Sequence, residues 1–391
     1  MHTHDKFAKM AVLMLIGSLA PGITTLAKGE SDSVRALYIS AATVPTSNPG
    51  IRTYPEPPKG FNALTATDVE LATYGFPPRP DKEADSSHYA LWERAMKLAK
   101  IRWNGELKPV PGTENVTIPA GSSMLPAAVQ SQTGPQAQPN VNAAGVILTN
   151  KQTAWSNKSS FDVVVADISV PVAQLPFGDS TCTYDYKEFN FAGIDSFYEN
   201  LNGKVYILFP GLQGGFYGDI PCTGSGTAGT PFYYAEFGFG YPLSRGFPVN
   251  PGDVFFTVVE AFGPSSGEAY LEDLTTETFA AYSISASGII GQNAGWLVFR
   301  PCCTGGSSQP PSNVFPLANT VATFFDNAEA QAGSKSFYPG SQATSTLILN
   351  MMDDEGDQVI ESANQGSGGY EGQHAIYFET AGCAYSGGCV Q

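Results

Sequence analysis

Two polar side chains set among aromatic residues carry the chemistry this sequence can offer. Gln213 lies in Pro210-Gly211-Leu212-Gln213-Gly214-Gly215, directly after the apolar run Lys204-Val205-Tyr206-Ile207-Leu208-Phe209. Glu236 lies inside Phe232-Tyr233-Tyr234-Ala235-Glu236-Phe237. A carboxamide can donate hydrogen bonds to a developing oxyanion, and a carboxylate can take and return a proton. Burying either without a partner costs several kcal/mol, so each is either hydrogen-bonded or functional. Two satisfied structural polars are the plain alternative.

Other chemistries lack the residues they need. Beyond residue 27 the histidines are His88 and His374, and there is no His-Glu-x-x-His, so no metal is expected. Gly263-Pro264-Ser265-Ser266-Gly267 has the serine-hydrolase spacing, but it falls between two strands rather than at a strand-to-helix turn. No glycine-rich phosphate loop of the P-loop or dinucleotide type occurs, and no cofactor is expected.

The elements that would position these residues read as strands. Phe161–Pro171, Lys204–Phe209, Phe232–Phe237, Asp253–Phe262, Leu271–Leu274, Phe279–Ile284, Gly295–Phe299 and Thr346–Met351 are short, β-branched or aromatic, and separated by turn residues. No stretch after 140 has helical periodicity, so residues 140–391 are expected to form one antiparallel β-sandwich or barrel. Before it, residues 1–27 read as a secretory leader, with Lys6 and Lys9 followed by an apolar run too short to span a bilayer. Residues 28–139 read as an N-terminal, pro-segment-like region with short helices and a linker. Within it, 28–60 is expected to be irregular, a helix starts at the capping box Thr67-Asp68-Val69-Glu70, and a basic amphipathic helix covers His88–Trp103. That helix could cover the acidic domain as a removable pro-segment or pack on the sandwich edge.

Residues 140–391 hold 7 Lys+Arg against 24 Asp+Glu, a net charge of −17, which argues against nucleic acid and anionic membrane as partners. Export makes Cys182, Cys222, Cys302, Cys303, Cys383 and Cys389 expected disulfide partners, with the pairing open. A secreted monomer is expected.

In order along the chain, several motifs resemble the glutamic peptidases, the eqolisin family. Phe191-Ala192-Gly193-Ile194-Asp195 is similar to the family's Trp-Val-Gly-Ile-Asp, and Leu212-Gln213-Gly214-Gly215 to its Leu-Gln-Thr-Gly. Tyr233-Tyr234-Ala235-Glu236-Phe237 followed by Tyr241-Pro242 resembles Ala-Trp-Tyr-Glu-Trp-Tyr-Pro. Leu271-Glu272-Asp273-Leu274-Thr275-Thr276 resembles Leu-Glu-Asn-Leu-Thr-Thr, and Asn293-Ala294-Gly295-Trp296-Leu297-Val298 parallels Asn-Ala-Glu-Trp-Ile-Val.

The resemblance implies an all-β, concanavalin A-like antiparallel sandwich and acid endopeptidase chemistry on a polypeptide. A glutamate would activate water, and a glutamine, here Gln213, would hold the oxyanion. It places the catalytic glutamate one residue after Val298, where this chain has Phe299, and a cleft tryptophan at Ala143. The general base would then be missing unless Glu236 replaces it. Phe191, Asp195, Tyr233, Tyr234 and Phe299 are expected to line an open cleft for peptide or glycan, with Phe299 beside Gln213.

Overall fold

The computed structural model describes residues 23–111, 113, 137–175, 182, 185–195, 197–201, 204–209, 211–223, 227–301, 315–318, 320, 322–341, 345–352, 359–365 and 374–380. Most of the expected leader, and Cys302, Cys303, Cys383 and Cys389, lie outside these residues.

Fourteen main strands build the sandwich among the described residues. In chain order they are β1 (Ala143–Thr149), β2 (Phe161–Ser169), β3 (Tyr186–Ile194), β4 (Leu212–Ile220) and β5 (Phe232–Phe239). Next come β6 (Ser244–Val249), β7 (Val254–Gly263), β8 (Ser266–Asp273), β9 (Thr278–Ser285) and β10 (Asn293–Phe299). The last are β11 (Ala322–Ala332), β12 (Ser345–Met352), β13 (Val359–Gln365) and β14 (Ile376–Thr380). The front layer runs β12-β1-β10-β3-β4-β5-β6, antiparallel throughout. The back layer runs β9-β8-β7-β2-β11-β14-β13, again antiparallel. Pairing of β13 with β12 joins the layers, so the sandwich is one sheet folded over.

Alternation along each strand decides which layer its side chains fill. On β10, Ala294, Trp296 and Val298 enter the core between the layers, while Leu297 and Phe299 face the front. The Trp296 indole crosses the core and donates to the Val165 carbonyl of β2 at 3.0 Å. Back-layer strands are apolar on both faces because a third layer covers them. Val164, Ala166 and Ile168 of β2 point inward, and Val163 and Val165 point outward to the helices.

That third layer is the N-terminal region. Helices α1 (Ile23–Ser40), α2 (Asp68–Tyr74) and α3 (Ser86–Leu98) precede the sandwich. Thr67 caps α2 with the expected reciprocal bonds to Glu70, and Gly75 ends it in the left-handed region at φ 69°. Leu71, Phe76, Leu91, Trp92, Ala95 and Met96 pack on Val163, Val165, Phe256, Val258, Tyr270 and Phe279. Arg35 and Arg94 pair with Asp162 and Asp167 of β2.

Two expectations change here. Residues 28–60 are only partly irregular: α1 continues to Ser40, where Tyr38 packs on Phe262 and Ala72, and Ile51–Thr53 forms a strand paired with β9. The basic helix stops at Leu98, and Ile101–Arg102 pairs with β9 as a parallel strand. Lys108–Pro109 pairs with β6. Lys204–Phe209 is a strand as expected, but it pairs with Phe197–Leu201 in a separate hairpin rather than in the sandwich. Cys182 and Cys222 form a disulfide across 40 residues, a closure worth about 4 kcal/mol in a chain-entropy account.

Candidate functional site

Gln213 stands on β4 between two glycines: Gly193 of β3 on one side and Gly238 of β5 on the other. With no side chain on either flank, the carboxamide has room to turn along the sheet. It turns toward Glu236, two residues along β5, and Gln213 Nε2 donates to both carboxylate oxygens at 2.7 and 3.0 Å. This is a diagonal cross-strand pair. Both residues are 0% exposed. Burial pushes the Glu236 carboxyl up to about 8, and the Gln213 hydrogen bond offsets only part of that. Glu236 is therefore protonated throughout the acid range.

Among the described residues no open groove surrounds Gln213; the amide is buried. Alternation puts Gln213, Gly215 and Tyr217 of β4 on the front face, and that face is filled by Phe189, Phe191, Tyr217, Leu297, Phe299 and Leu349. The N-terminal region reaches this layer too. Val110 N–H donates to the Leu243 carbonyl at 2.9 Å, and Leu243 N–H donates to Thr113 Oγ1 at 3.2 Å. Val110 and Thr113 are 0% exposed. Ala143, where a cleft wall was expected to open, is buried in the same apolar cluster.

Register overturns the expected place of Phe299. Gln213 pairs with Gly193, and Gly193 with Gly295, so Gly295 shares the row of Gln213 two strands away, about 10 Å by strand spacing. Phe299 pairs with Phe189, which pairs with Tyr217, a row four residues further along. That offset is roughly 13 Å. The Phe299 ring packs 5.6 Å from Phe189 and 6.4 Å from Phe191 instead. A Cβ on Gly295 would meet Ile147 Cγ1 at 3.3 Å and the Val146 carbonyl at 3.5 Å, so a side chain there fits with a small shift.

The other expected cleft residues separate. Phe191 lies on the front face, packed in the apolar cluster. Tyr234 is half-buried on that face, with the Arg245 guanidinium 4.8 Å over its ring. Tyr233 points the opposite way, into the core, where its hydroxyl accepts from Ala173 N–H at 2.9 Å and its ring meets Phe216 edge-on. Asp195 ends β3 at φ 60°, and its carboxylate accepts from the N–H groups of Ile290, Gly291 and Gln292 at 2.6 to 2.8 Å. It is a strand-end staple rather than a cleft wall, and burial raises its pKa. Ser265 sits in the turn of the β7–β8 hairpin rather than at a strand-to-helix turn. The glycines at 193, 238 and 295 were missed as site residues, although glycine inside an aromatic strand signals close approach.

The chain matches the model of the Peptidase A4 family over residues 141–369. No curated protein matches it. Among solved structures, scytalido-glutamic peptidase bound to a peptide-based transition state analog is 22% identical, with a TM-score of 0.43, covering 62% of this chain and 98% of that one. SCP-B, a member of the Eqolisin family in complex with a tripeptide, is also 22% identical, with a TM-score of 0.41 and the same coverage. The family match spans more than half of the sequence and takes in Gln213, Glu236 and Gly295; the chain belongs to the Peptidase A4 family.

Proposed function

We propose that this is an exported member of the peptidase family that no longer hydrolyses peptide bonds. One observation carries the reading: the residue in register with Gln213 across Gly193 is Gly295, which has no side chain. In the family's Asn-Ala-Glu-Trp-Ile-Val segment a glutamate stands at that position, from which a carboxylate could reach over a glycine toward the glutamine. Here the oxyanion donor remains and the base opposite it is missing. The buried disulfide-bonded Cys182 and the leader-like N-terminus support export.

A second reading, with Glu236 as base, draws on its contact with Gln213. Two features weigh against it. A base must be ionised, and burial holds this carboxyl protonated up to about pH 8. Gln213 Nε2 is also already engaged by that carboxyl, leaving no place for a water between them.

The test is cleavage of denatured casein or haemoglobin from pH 2 to 6. The wild type is expected to be inactive, and neither Gly295→Glu nor Phe299→Glu alone to gain cleavage, because Gln213 stays buried and bonded to Glu236. Wild-type cleavage abolished by Gln213→Ala and Glu236→Gln would establish the second reading instead. The N-terminal region is proposed to remain as a structural layer; its mass after incubation at pH 3 should be unchanged.

A further inference from the structure

On the far side of the sandwich from Gln213, the start of α3 meets β11 in a group of buried donors. Asp85 caps α3 with Oδ1, accepting from His88 N–H at 3.2 Å, which leaves Oδ2 turned toward the sheet. His88 Nδ1 lies 4.0 Å from Asp85 Oδ2. Glu329 of β11 brings a carboxylate oxygen, and one ligand atom from each of the three residues falls within 4.8 Å of the others. Gln331 Nε2 sits between them, 2.8 Å from Asp85 Oδ2 and 2.8 Å from His88 Nδ1. Ser87 Oγ donates to Glu329 Oε2 at 3.3 Å, and Ser336 Oγ donates to Asp85 Oδ2.

An unpaired group shows that this set is incomplete. Glu329 is 1% exposed, and its Oε1 receives no hydrogen bond. Two carboxyls with no lysine or arginine bonded to them need a positive centre between them, either a proton or a metal ion. The donor set decides between these. An imidazole nitrogen, two carboxylates and, after a half-turn of its amide, the Gln331 carbonyl oxygen are four ligands of the kind Zn²⁺ takes. Ligand atoms around tetrahedral zinc stand roughly 3.3 Å apart, given bonds of about 2.0 Å. Small side-chain rotations from the present 4.0 Å reach that spacing.

We propose that Asp85, His88 and Glu329, with Gln331 as fourth ligand, bind a divalent cation of the zinc class that fastens α3 to β11. Asp85 and His88 lie outside the family match at 141–369, while Glu329 and Gln331 lie inside it. The site therefore exists only where this N-terminal layer is added to the family's sandwich.

The experiment uses the full chain, stripped with chelator, dialysed, and titrated with Zn²⁺ and separately with Co²⁺. Expected are one equivalent bound, the visible d–d bands of four-coordinate Co²⁺, and a higher Tm with Zn²⁺. His88→Ala and Glu329→Gln should each weaken binding by more than about 100-fold. No heat, no Co²⁺ bands and no Tm change in the wild type overturn the proposal and leave a shared proton in the cluster. Binding that survives both substitutions also overturns it, placing the ion elsewhere on the acidic surface. Should His88→Ala fail to fold, the wild-type titration and Glu329→Gln decide.

Discussion

The two outer faces of the folded sheet bury their carboxyl groups differently. On the back, arginines of the N-terminal layer meet them: Arg35 at Asp162 and Arg94 at Asp167. On the front, Glu236 has only the Gln213 amide. Helix-borne arginines thus meet two back-layer carboxyls, whereas the Glu236 carboxyl, with an amide as its partner, is kept protonated by burial.

The sharpest way to break this contrast is to remove one large side chain from each face. Trp92→Ala on the back and Phe299→Ala on the front should each cost about 3–5 kcal/mol, read by denaturant unfolding. A front-face cost below about 1 kcal/mol would mean that face is open and the filled-groove description is wrong.

The next effect is pH dependence. Burial pushes Glu188 and Glu236 up to about 8, Asp162 and Glu268 to about 7, and Asp219 to about 6. The folded chain therefore holds protons that the unfolded chain, with values of 4.5 for Glu and 3.8 for Asp, gives up. Stability from these groups is full below about pH 4 and is lost as pH rises toward 8. Tm should fall by more than about 5 °C between pH 5 and pH 8. A Tm that climbs over that range would contradict the raised carboxyls.

Smaller effects sharpen the register. Gly215→Ala drives a Cβ to 2.0 Å from the Asn190 carbonyl and should cost about 1–3 kcal/mol. Gly295→Ala meets only the end of Ile147 at 3.3 Å and should cost less than about 1 kcal/mol. Equal costs would argue against the pairing that puts residue 295 in the row of Gln213. Last, Glu236→Gln should leave Tm at pH 4 nearly unchanged and raise it at pH 8, where the wild-type carboxyl begins to ionise.

Strand periodicity made most of the sandwich readable. The two-faced apolar character of Phe161–Ser169 and Val254–Gly263 pointed to buried strands, though not to the helical layer that buries their second face. The first helix escaped notice because α1 ends in Ser, Thr and Pro-rich sequence, and its packing partner Phe262 lies more than 200 residues away. Gln213 and Glu236 could be picked out as embedded polars, but their direct bond could not, since it depends on strand order. Motif likeness put the glutamate position at Phe299, but likeness counts along the chain, whereas register across strands sets Phe299 four rows from Gln213. The Asp85–His88–Glu329 group has the same cause: its members are neighbours only after α3 docks on β11.

Both free margins of the folded sheet are occupied by pieces of the N-terminal region: Ile51–Thr53 and Ile101–Arg102 lie along β9, and Lys108–Pro109 lies along β6. Cutting that region away would leave rows of unmatched backbone amides and carbonyls at both borders, ready to recruit strands from other chains. Proteolytic trimming here would sooner yield a self-associating species than a liberated enzyme.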